Sequence, residues 1–269
     1  MSIISIIGCG NLGKAIIKSA LNNGVKKECI NATIFNKNKL GNIRNDLNIK
    51  SIYDYTQNRR VIKNSNYIFL CVKPFDIKRT LLDIKGHISP NQTVISTAAG
   101  VDINYIRNII NRKNIIRLMP NIGIAYNKGV VGVYSDNVKH KQLSLLCNKL
   151  FRGSKIIYVD NEKSIDIMTV LSGCGPAFIS FFAEKMYQQG LKYGLSKSVC
   201  REIITSTLIT SSSLFNNLKY DEIIYQIASK GGATQAGLDF LIKNKVDEIY
   251  MRTLDNSYNR INNINKGLD

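Results

Sequence analysis

Two glycine-rich segments combine residue types and spacing that could do chemistry. The first is "GCGNLG", whose glycines at G-x-G-x-x-G spacing are Gly8, Gly10 and Gly13. It lies between an apolar run at residues 3–7 and an amphipathic stretch at 12–21, which predicts a strand, a turn and a helix. Such glycines allow a tight turn and let a pyrophosphate approach the free N–H groups of the helix N-terminus. The segment predicts a dinucleotide-binding turn, with a merely flexible loop as the alternative.

The residues after the second predicted strand indicate which dinucleotide would bind. In the NAD-type motif an acidic residue about 20 residues further on binds the ribose hydroxyls. No acidic residue lies between Glu28 and Asp46 in this sequence. The segment "FNKNKL" instead offers Asn36, Lys37 and Lys39 to a 2′-phosphate. The sequence predicts a preference for NADP over NAD, with ordinary surface lysines as the alternative.

The second segment, "SKGGATQAGLDFLIK" at residues 229–243, interrupts a helical pattern with two adjacent glycines. Helical spacing resumes after Gly232, so the glycines are predicted to lie at a helix N-terminus. The unpaired N–H groups of such an end can bind a small carboxylate. Thr234 falls in the first turn, with its hydroxyl toward the same space. A helix–helix turn with a capping threonine is the alternative.

Groups for acid–base chemistry are scarce. The two histidines, His87 and His140, fall in polar contexts without a motif, and the sequence shows no metal-ligand cluster. Reduction of a ketone leaves an alkoxide that needs a positioned proton donor, whereas hydride addition to a protonated imine yields a neutral amine directly. A site poor in acids therefore favours an imine substrate, although a Tyr or Lys can also donate a proton.

The rest of the chain must position these segments. Strand-like apolar runs recur between polar and amphipathic stretches, at residues 32–35, 67–72, 93–96, 114–119, 129–134 and 155–159. This alternation predicts an α/β domain at residues 1–160, with a mostly parallel sheet covered by helices. After Asp160 every long stretch suits a helix, which predicts an all-helical domain at residues 161–269.

Composition narrows the function classes. The 269 residues are 44% apolar, which is enough for one large or two moderate domains. The longest apolar runs fall short of the roughly 20 residues of a membrane span, so we expect a soluble protein. Six cysteines without a CxxC pair favour free thiols in a reducing cytoplasm over disulfides or zinc. The net charge of +18 is carried by scattered lysines, which favours a solvated basic surface over nucleic-acid binding.

Six motifs in order carry a family resemblance. "GCGNLG", "CVKP", "AAG", "MPN", "LSGCGPAF" and "SKGGATQAGL" resemble those of pyrroline-5-carboxylate reductase and span nearly the whole chain. The resemblance implies NAD(P)H-dependent reduction of 1-pyrroline-5-carboxylate to L-proline by hydride transfer to the C=N bond. It also implies a Rossmann domain followed by a helical dimerisation domain that interlocks with a partner subunit. Dimers of this family often assemble further into decamers.

The resemblance assigns roles to individual residues. It places Gly8, Cys9, Gly10, Asn11 and Leu12 at the pyrophosphate, Asn36 and Lys37 at the 2′-phosphate, Asn58 at the adenosine ribose, and Val72, Lys73, Pro74 and Ala98 at the nicotinamide half. Gln226 matches a further position that can reach the cofactor. The substrate carboxylate falls to Gly231, Gly232 and Ala233, the ring nitrogen to Thr234 as the catalytic group, and a position near bound proline to Glu162. As alternatives, Pro74 only ends a strand and Glu162 only helps to start a helix.

The sequence departs from the family pattern in three motifs. "MPNIGI" lacks the usual threonine and proline at Ile122 and Gly123, and "SKGGAT" has Lys230 in place of a proline, which leaves the rigidity of both loops open. Cys174 replaces a common serine, a nearly isosteric change that should keep close helix packing.

Two rival functions remain at this stage. A β-hydroxyacid dehydrogenase would need a lysine in the helical domain with an asparagine four residues later, and no lysine after residue 160 has that spacing. The second rival is a non-catalytic NADP-binding regulatory protein, for which the altered loops and the basic surface are the arguments.

Overall fold

The chain divides into two compact units, Met1–Gly173 with Ser257–Asp269 and Cys174–Asn256. The structure is a computed structural model that describes residues 2–267, with the side chain of Asn265 left out. The predicted division into 1–160 and 161–269 follows the sequence pattern rather than spatial proximity, and it stays a prediction.

The strands lie in the first unit. Their bounds are β1 (Ile4–Ile7), β2 (Ile30–Ile34), β3 (Ile52–Asp54), β4 (Tyr67–Leu70), β5 (Thr93–Ser96), β6 (Ile115–Pro120), β7 (Val130–Tyr134) and β8 (Lys155–Tyr158). The seven strands predicted from apolar runs are present. Strand β3 was not predicted, because three residues that end in an aspartate give no apolar run.

The helices surround this sheet and then form the second unit. Their bounds are α1 (Asn11–Asn22), α2 (Leu40–Leu47), α3 (Asn58–Ile62), α4 (Ile77–Ile84), α5 (Ile103–Ile110), α6 (His140–Phe151), α7 (Lys163–Met168), α8 (Gly175–Lys192), α9 (Lys197–Leu214), α10 (Tyr220–Ile227), α11 (Ala233–Lys243) and α12 (Val246–Lys266). A π-helical turn, Thr169–Cys174, joins α7 to α8.

The sheet has the order β3-β2-β1-β4-β5-β6-β7-β8, and its neighbours pair in parallel except for β6 with β7. This confirms the predicted α/β fold with a mostly parallel sheet. Strand β1 lies between β2 and β4, where the strand order reverses. In open α/β sheets, ligands bind outside the carboxyl ends of the strands at such a reversal. The glycine turn after β1 lies at that edge.

Both faces of the sheet are covered. Ile6 and Phe69 pack on the side of α1, α2 and α6, whereas their neighbours Ile7 and Ile68 pack on the side of α3, α4 and α5. Strands buried on both faces read as continuous apolar runs. Because full burial of an isoleucine side chain stabilises a fold by about 1.5–3 kcal/mol, this core fixes the strand ends that carry the glycine turn.

The second unit buries little of its own apolar surface. Among its described hydrophobic residues only Cys200 and Ile223 are buried, and α8 has no buried residue. Phe181 on α8 and Phe240 on α11 are 60% and 67% exposed. The helix α8 is apolar on more than one face, and its Ile179, Phe181 and Phe182 are all exposed in the single chain.

Candidate functional site

The first glycine turn can be built only with glycine at position 8. Gly8 has φ +93°, a conformation that L side chains rarely adopt. A Cβ atom there would lie 2.8 Å from Cγ1 of Val72 and 2.9 Å from the carbonyl carbon of Cys71. The turn therefore runs directly against the chain that leaves β4.

The other two glycines of the motif have different tasks. A Cβ at Gly13 would lie 2.7 Å from the carbonyl oxygen of Gly8, so α1 packs closely on the turn. Gly10 has open space where its Cβ would be, and it is the N-cap of α1. No described side chain caps this helix end. An open approach to unpaired N–H groups suits a pyrophosphate, so the residues present fit a dinucleotide.

Hydrogen bonds hold the turn to the neighbouring strand. The backbone N–H groups of Gly8 and Cys9 both donate to the carbonyl oxygen of Thr33, at 3.1 and 2.7 Å. Burial raises the pKa of the Cys9 thiol to about 12, and it raises the pKa of Cys71 at the end of β4 to about 12 as well. Both thiols therefore stay protonated at physiological pH, and a protonated thiol is not the nucleophilic form of cysteine. Their role at the turn is packing.

A pocket of about 490 Å³ lies at the carboxyl ends of these strands. Its lining includes Gly8, Thr33, Asn58 and Val72. Asn58 is buried, its Oδ1 accepts a hydrogen bond from the Thr33 hydroxyl at 2.7 Å, and its Nδ2 donates to Asp83 at 3.3 Å. These bonds fix the orientation of the Asn58 amide in the pocket wall, where the family resemblance implies an adenosine ribose.

The predicted phosphate ligands Asn36 and Lys37 are exposed and follow β2. Oδ1 of Asn36 accepts from the backbone N–H of Asn38 at 3.0 Å, which starts a short 3₁₀ turn. Lys37 helps to lower the pKa of Asp54, after the larger effect of the hydrogen bonds from Thr56. Neither Asn36 nor Lys37 is among the described residues that line the pocket, so the structure places them next to it rather than within it.

The residues predicted for the nicotinamide half lie on the loops after β4 and β5. Val72 lines the pocket, Lys73 precedes a 3₁₀ turn that begins at Pro74, and Ala98 is buried. Two residues on, Gly100 has φ +68°, and a Cβ there would lie 2.5 Å from the carbonyl oxygen of Ile261. The last turns of α12 thus pack directly on the loop after β5.

Glu162 joins an ionic cluster that sequence patterns did not reveal. Its Oε1 accepts from the backbone N–H of Ile103, the first residue of α5, at 2.7 Å and from Nη1 of Arg117 at 3.2 Å. Nη2 of Arg117 donates to Asp166 at 2.8 Å, and Arg117 is only 1% exposed. Glu162 is also the N-cap residue of α7, but its side chain makes no cap hydrogen bond there. A lone arginine inside the apolar run of β6 was the available signal.

Two effects compete on the pKa of Glu162. Burial penalises the charged form and outweighs the attraction of Arg117, so the pKa is raised. The Glu162 carboxyl therefore holds a proton to higher pH than an ordinary glutamate.

Hydrogen bonds make the "MPNIGI" loop rigid without the missing threonine and proline. Oδ1 of Asn121 accepts from the N–H groups of Gly123 and Val130, at 3.1 and 3.2 Å. Its Nδ2 donates to the carbonyl oxygen of Ser172 in the π-helical turn, at 3.1 Å. These three hydrogen bonds of the Asn121 amide hold the loop, so the departure from the family pattern leaves it anchored.

The second glycine segment forms a helix start, as predicted. Gly231 has φ +74° with open space at its Cβ position, and Gly232 is the N-cap of α11. The N–H of Gly232 donates to the carbonyl oxygen of Ser229 at 2.9 Å, which closes the turn. Thr234 is exposed in the first helical turn, and no described side chain caps α11. The capping role for Thr234 was the alternative, and this geometry does not support it.

Gln226 and Ala233 complete the predicted set. Gln226 lies exposed near the end of α10, and Ala233 is the exposed first residue of α11.

Comparisons with known proteins match the chain in both regions. The model of pyrroline-5-carboxylate reductase dimerisation matches residues 162–264, and that of NADP oxidoreductase, coenzyme F420-dependent, matches residues 3–100. The chain is 30% identical over 271 residues to the pyrroline-5-carboxylate reductase of Staphylococcus haemolyticus, with 97% of each chain covered.

Solved structures share the fold over nearly the full length. The Plasmodium falciparum pyrroline carboxylate reductase with NADP bound has a TM-score of 0.87 at 23% identity, with 98% of each chain covered. A pyrroline-5-carboxylate reductase from Coxiella burnetii has a TM-score of 0.79 at 25% identity, again with 98% of each chain covered. The first glycine segment falls within the matched residues 3–100 and the second within 162–264.

Proposed function

Because this chain belongs to the pyrroline-5-carboxylate reductase family, we propose that it reduces 1-pyrroline-5-carboxylate to L-proline with NADPH, the last step of proline biosynthesis. One observation carries the proposal: two helices, α1 and α11, begin at glycines without a side-chain cap. The enzyme has to bind two anionic groups, the pyrophosphate of the cofactor and the carboxylate of the substrate. The N-terminus of a helix can bind either group.

The first unit supplies the cofactor site. The backbone N–H groups of Asn11 and Leu12 would hold the pyrophosphate, because the open space at Gly10 leaves them accessible. Cys9 would lie beside the pyrophosphate, with its own N–H bonded to Thr33. Asn58 would bind the adenosine ribose from the pocket wall, and the loops after β4 and β5 would border the nicotinamide half. NADPH, when bound, supplies the hydride that adds to the imine carbon.

The second unit supplies the substrate contacts. The N–H group at Gly231 and the first N–H groups of α11, at Ala233 and Thr234, bind the carboxylate, since no Cβ at Gly231 blocks the approach. The N–H of Gly232 is already bonded to Ser229, so Gly232 contributes only its lack of a side chain. The Thr234 hydroxyl forms a hydrogen bond to the ring nitrogen and orients the C=N bond. No strong acid is required for these steps, because hydride addition to the protonated imine gives a neutral amine.

Glu162 is the acidic residue that we place near the ring. Its bonds to Arg117 and to the N–H of Ile103 fix the position of the carboxyl group. Its raised pKa lets this carboxyl remain partly protonated at a pH where an exposed glutamate is ionised. Gln226 on α10 is a further residue that we place toward the cofactor.

We place the 2′-phosphate of the cofactor at Lys37 and Asn36, which makes NADPH the preferred donor over NADH. Lys37→Glu should lower the ratio of kcat/KM for NADPH to kcat/KM for NADH, or make NADH the better donor. The reason is that the glutamate places a negative charge next to the phosphate. Lys85→Glu, the same charge change at an exposed position elsewhere in the first unit, should leave the ratio unchanged. A wild-type preference for NADH together with a silent Lys37→Glu would contradict the assignment.

The active form is at least a homodimer, and we propose that such dimers assemble further into a decamer. An apolar groove of about 730 Å³ in the second unit is lined by Phe182, Ile224, Leu241 and Ile242 among others. A single chain leaves this surface in water, and a second copy would cover it. The matched dimerisation model supports association of this unit.

One helical stretch, Lys163–Lys192, is long and apolar enough to cross a membrane by length and composition, since it contains an 18-residue window with a mean hydropathy of 1.5. We expected no membrane span because the uninterrupted apolar runs of the sequence are short. In this stretch the apolar residues alternate with small polar residues, so it contains no long uninterrupted run. We assign its apolar surface to the subunit interface and the protein to the cytoplasm, without a membrane or nucleic-acid partner.

A turnover assay tests the proposal. Purified protein should oxidise NADPH only when 1-pyrroline-5-carboxylate is present, and it should form one proline per NADPH consumed. Binding of NADPH without turnover would favour the non-catalytic regulatory protein. Turnover of a hydroxy acid without turnover of the imine would favour the dehydrogenase.

A further inference from the structure

Arg117 is a charged side chain inside the sheet, where it is the largest of the fully buried side chains among the described residues. Its guanidinium donates through Nη1 to Oε1 of Glu162 at 3.2 Å and through Nη2 to Oδ1 of Asp166 at 2.8 Å. The side chains of these two partners are only 23% and 16% exposed. One buried cation is therefore shared by two carboxylates that lie about one helical turn apart.

The sharing is unequal. The bond from Arg117 to Asp166 is the shorter one, and ionic hydrogen bonds of about 2.7–2.9 Å are the strong ones. Oε1 of Glu162 also accepts from the backbone N–H of Ile103 at 2.7 Å, so one oxygen serves both donors. Arg117 thus neutralises Asp166 more fully and leaves Glu162 as the carboxyl that can take up a proton.

Other groups near Glu162 also act on its proton. The charged and titratable groups of the neighbouring elements are Asp102 before α5, Arg107 on α5, Arg117 on β6, Tyr134 at the end of β7, Asp136 after it, and Asp166 on α7. Burial and then Asp102 favour the protonated form of Glu162, whereas Arg117 favours the charged form. Arg107 is bound to Asp136 at 2.6 Å. Arg117 is therefore the cation that governs the Glu162 carboxyl.

The Glu162 carboxyl in turn holds a part of the chain that borders the proposed cofactor site. Ile103, whose N–H it binds, is the first residue of α5 and follows the loop that carries Ala98 and Gly100. A displacement of about 1 Å in the reacting geometry can slow an enzyme by about 100-fold. The hold of Glu162 on this loop therefore matters for hydride transfer.

On this geometry, and resting on the proposed function, we propose that Arg117 and Asp166 are positioning residues for the reduction. Arg117 holds the Glu162 carboxyl at the start of α5, and Asp166 limits the share of the guanidinium that Glu162 receives. Neither residue touches substrate or cofactor, because both act through Glu162. The two have opposite effects on the proton of Glu162, which is the basis of the test.

Two substitutions should move the Glu162 titration in opposite directions. Asp166→Asn keeps an acceptor for Nη2 but removes the competing charge, so the pKa of Glu162 should fall. Arg117→Lys keeps the charge but loses the two-armed guanidinium, so the pKa of Glu162 should rise. The pH profile of kcat/KM should break at a lower pH in the first variant and at a higher pH in the second, and Glu162→Gln should lose the break.

The kinetic constants separate positioning from binding. Arg117→Lys should lower kcat by roughly 10-fold, about 1.4 kcal/mol. Its Kd for NADP⁺, measured by titration calorimetry, should stay close to that of the wild type. As a matched control, Asp46→Asn makes the same chemical change at a carboxylate of α2 that is paired with Lys18 at 3.1 Å. The profile of this control should break at the wild-type pH.

Melting curves test the charge sharing without turnover. In each background, the difference in melting temperature between the protein with Glu162 and its Glu162→Gln counterpart isolates the titration of this carboxyl. The stabilising contribution of Glu162 is lost as the pH rises through its raised pKa. The loss should therefore occur at a lower pH in Asp166→Asn than in the wild type.

Three results would overturn the proposal. They are shifts of the two variants in the same direction, a Glu162 titration at the wild-type pH in Asp166→Asn, and activity that falls only in step with the melting temperature. If Arg117→Lys does not fold, the direction of the shift in Asp166→Asn decides alone. A wild type that does not reduce 1-pyrroline-5-carboxylate would remove the proposed function, whereas the melting curves would still decide whether Arg117 and Asp166 control the Glu162 carboxyl.

Discussion

The two glycine turns of this chain begin helices in the same way but lie in different surroundings. At the first turn, Gly8 and Gly13 pack so closely on neighbouring atoms that neither position has room for a Cβ atom. Two backbone hydrogen bonds join this turn to the carbonyl oxygen of Thr33. At the second turn, Gly231 has open space around it, and Thr234 in the next helical turn is exposed. Both helix ends lack a side-chain cap. The first turn is thus complete within one chain, whereas the second lies open.

The difference follows from how each unit buries its apolar surface. The sheet of the first unit is packed on both faces, which fixes the strand ends and the turn between them. The second unit has few buried residues and leaves its apolar groove in solvent. We infer that cofactor binding needs one chain and that substrate binding and turnover need the assembled enzyme.

Breaking the assembly should have the largest effect. Phe182→Asp places a carboxylate in the apolar groove, and burying it unpaired costs several kcal/mol, so association should weaken by about 100-fold or more. Light scattering should then show a monomer, and the turnover assay should show no reductase activity. Calorimetry should show a Kd for NADP⁺ close to that of the wild type, because the first unit is unchanged.

A matched control separates charge from position. Asn42→Asp adds the same charge on the exposed face of α2 and should leave both assembly and activity intact. An active monomer of Phe182→Asp would refute the dependence of the second unit on a partner.

Substitution of the turn glycines sharpens the comparison. Gly8→Ala combines a positive φ with contacts under 3.0 Å, so it should lower the melting temperature and abolish NADP⁺ binding. Gly231→Ala has the positive φ alone, which costs about 1–2 kcal/mol, and it should leave NADP⁺ binding unchanged. Gly10→Ala meets no atom within 4 Å and should weaken NADP⁺ binding at an unchanged melting temperature. Equal stability losses at Gly8 and Gly231 would show that packing does not distinguish the turns.

A smaller effect concerns pH. Because burial raises the pKa of Glu162 above its ordinary value of 4.5, folding takes up a proton in the range above that value. This contribution to stability is present below pH 4.5 and is lost as the pH rises through the raised pKa. Glu162→Gln removes the titration, so its melting temperature should fall less between about pH 4.5 and 7. Glu28→Gln, at an exposed carboxyl, should keep the wild-type slope, and an equal slope in Glu162→Gln would contradict the raised pKa.

Sequence patterns predicted the helices, strands and turns whose formation depends on residues close to them in the sequence. The strand–turn–helix around Gly8 and the helix start at Gly232 both follow from spacing within about ten residues, and both are present. The short strand β3 escaped prediction because its residues gain strand geometry only by pairing with β2.

Contacts between distant positions could not be predicted from the pattern. Glu162 caps α5 at Ile103, 59 residues earlier, and pairs with Arg117 in the middle of an apolar strand. The apolar run predicted the strand at residues 114–119 but not the burial of Arg117, because the carboxylates that make its burial tolerable, Glu162 and Asp166, lie far along the chain. The anchored Asn121 amide likewise depends on Ser172, which no local motif indicates.

The most direct test of the central claim is the kinetics of Thr234→Ala. If the Thr234 hydroxyl orients the imine, kcat/KM for 1-pyrroline-5-carboxylate should fall by roughly 10-fold or more, about 1.4 kcal/mol, and Thr234→Ser should restore most of it. The Kd of NADPH and the melting temperature should remain those of the wild type, since Thr234 is exposed and does not cap α11. A Thr234→Ala variant with wild-type kcat/KM, or one whose activity falls only in step with its stability, would contradict the account.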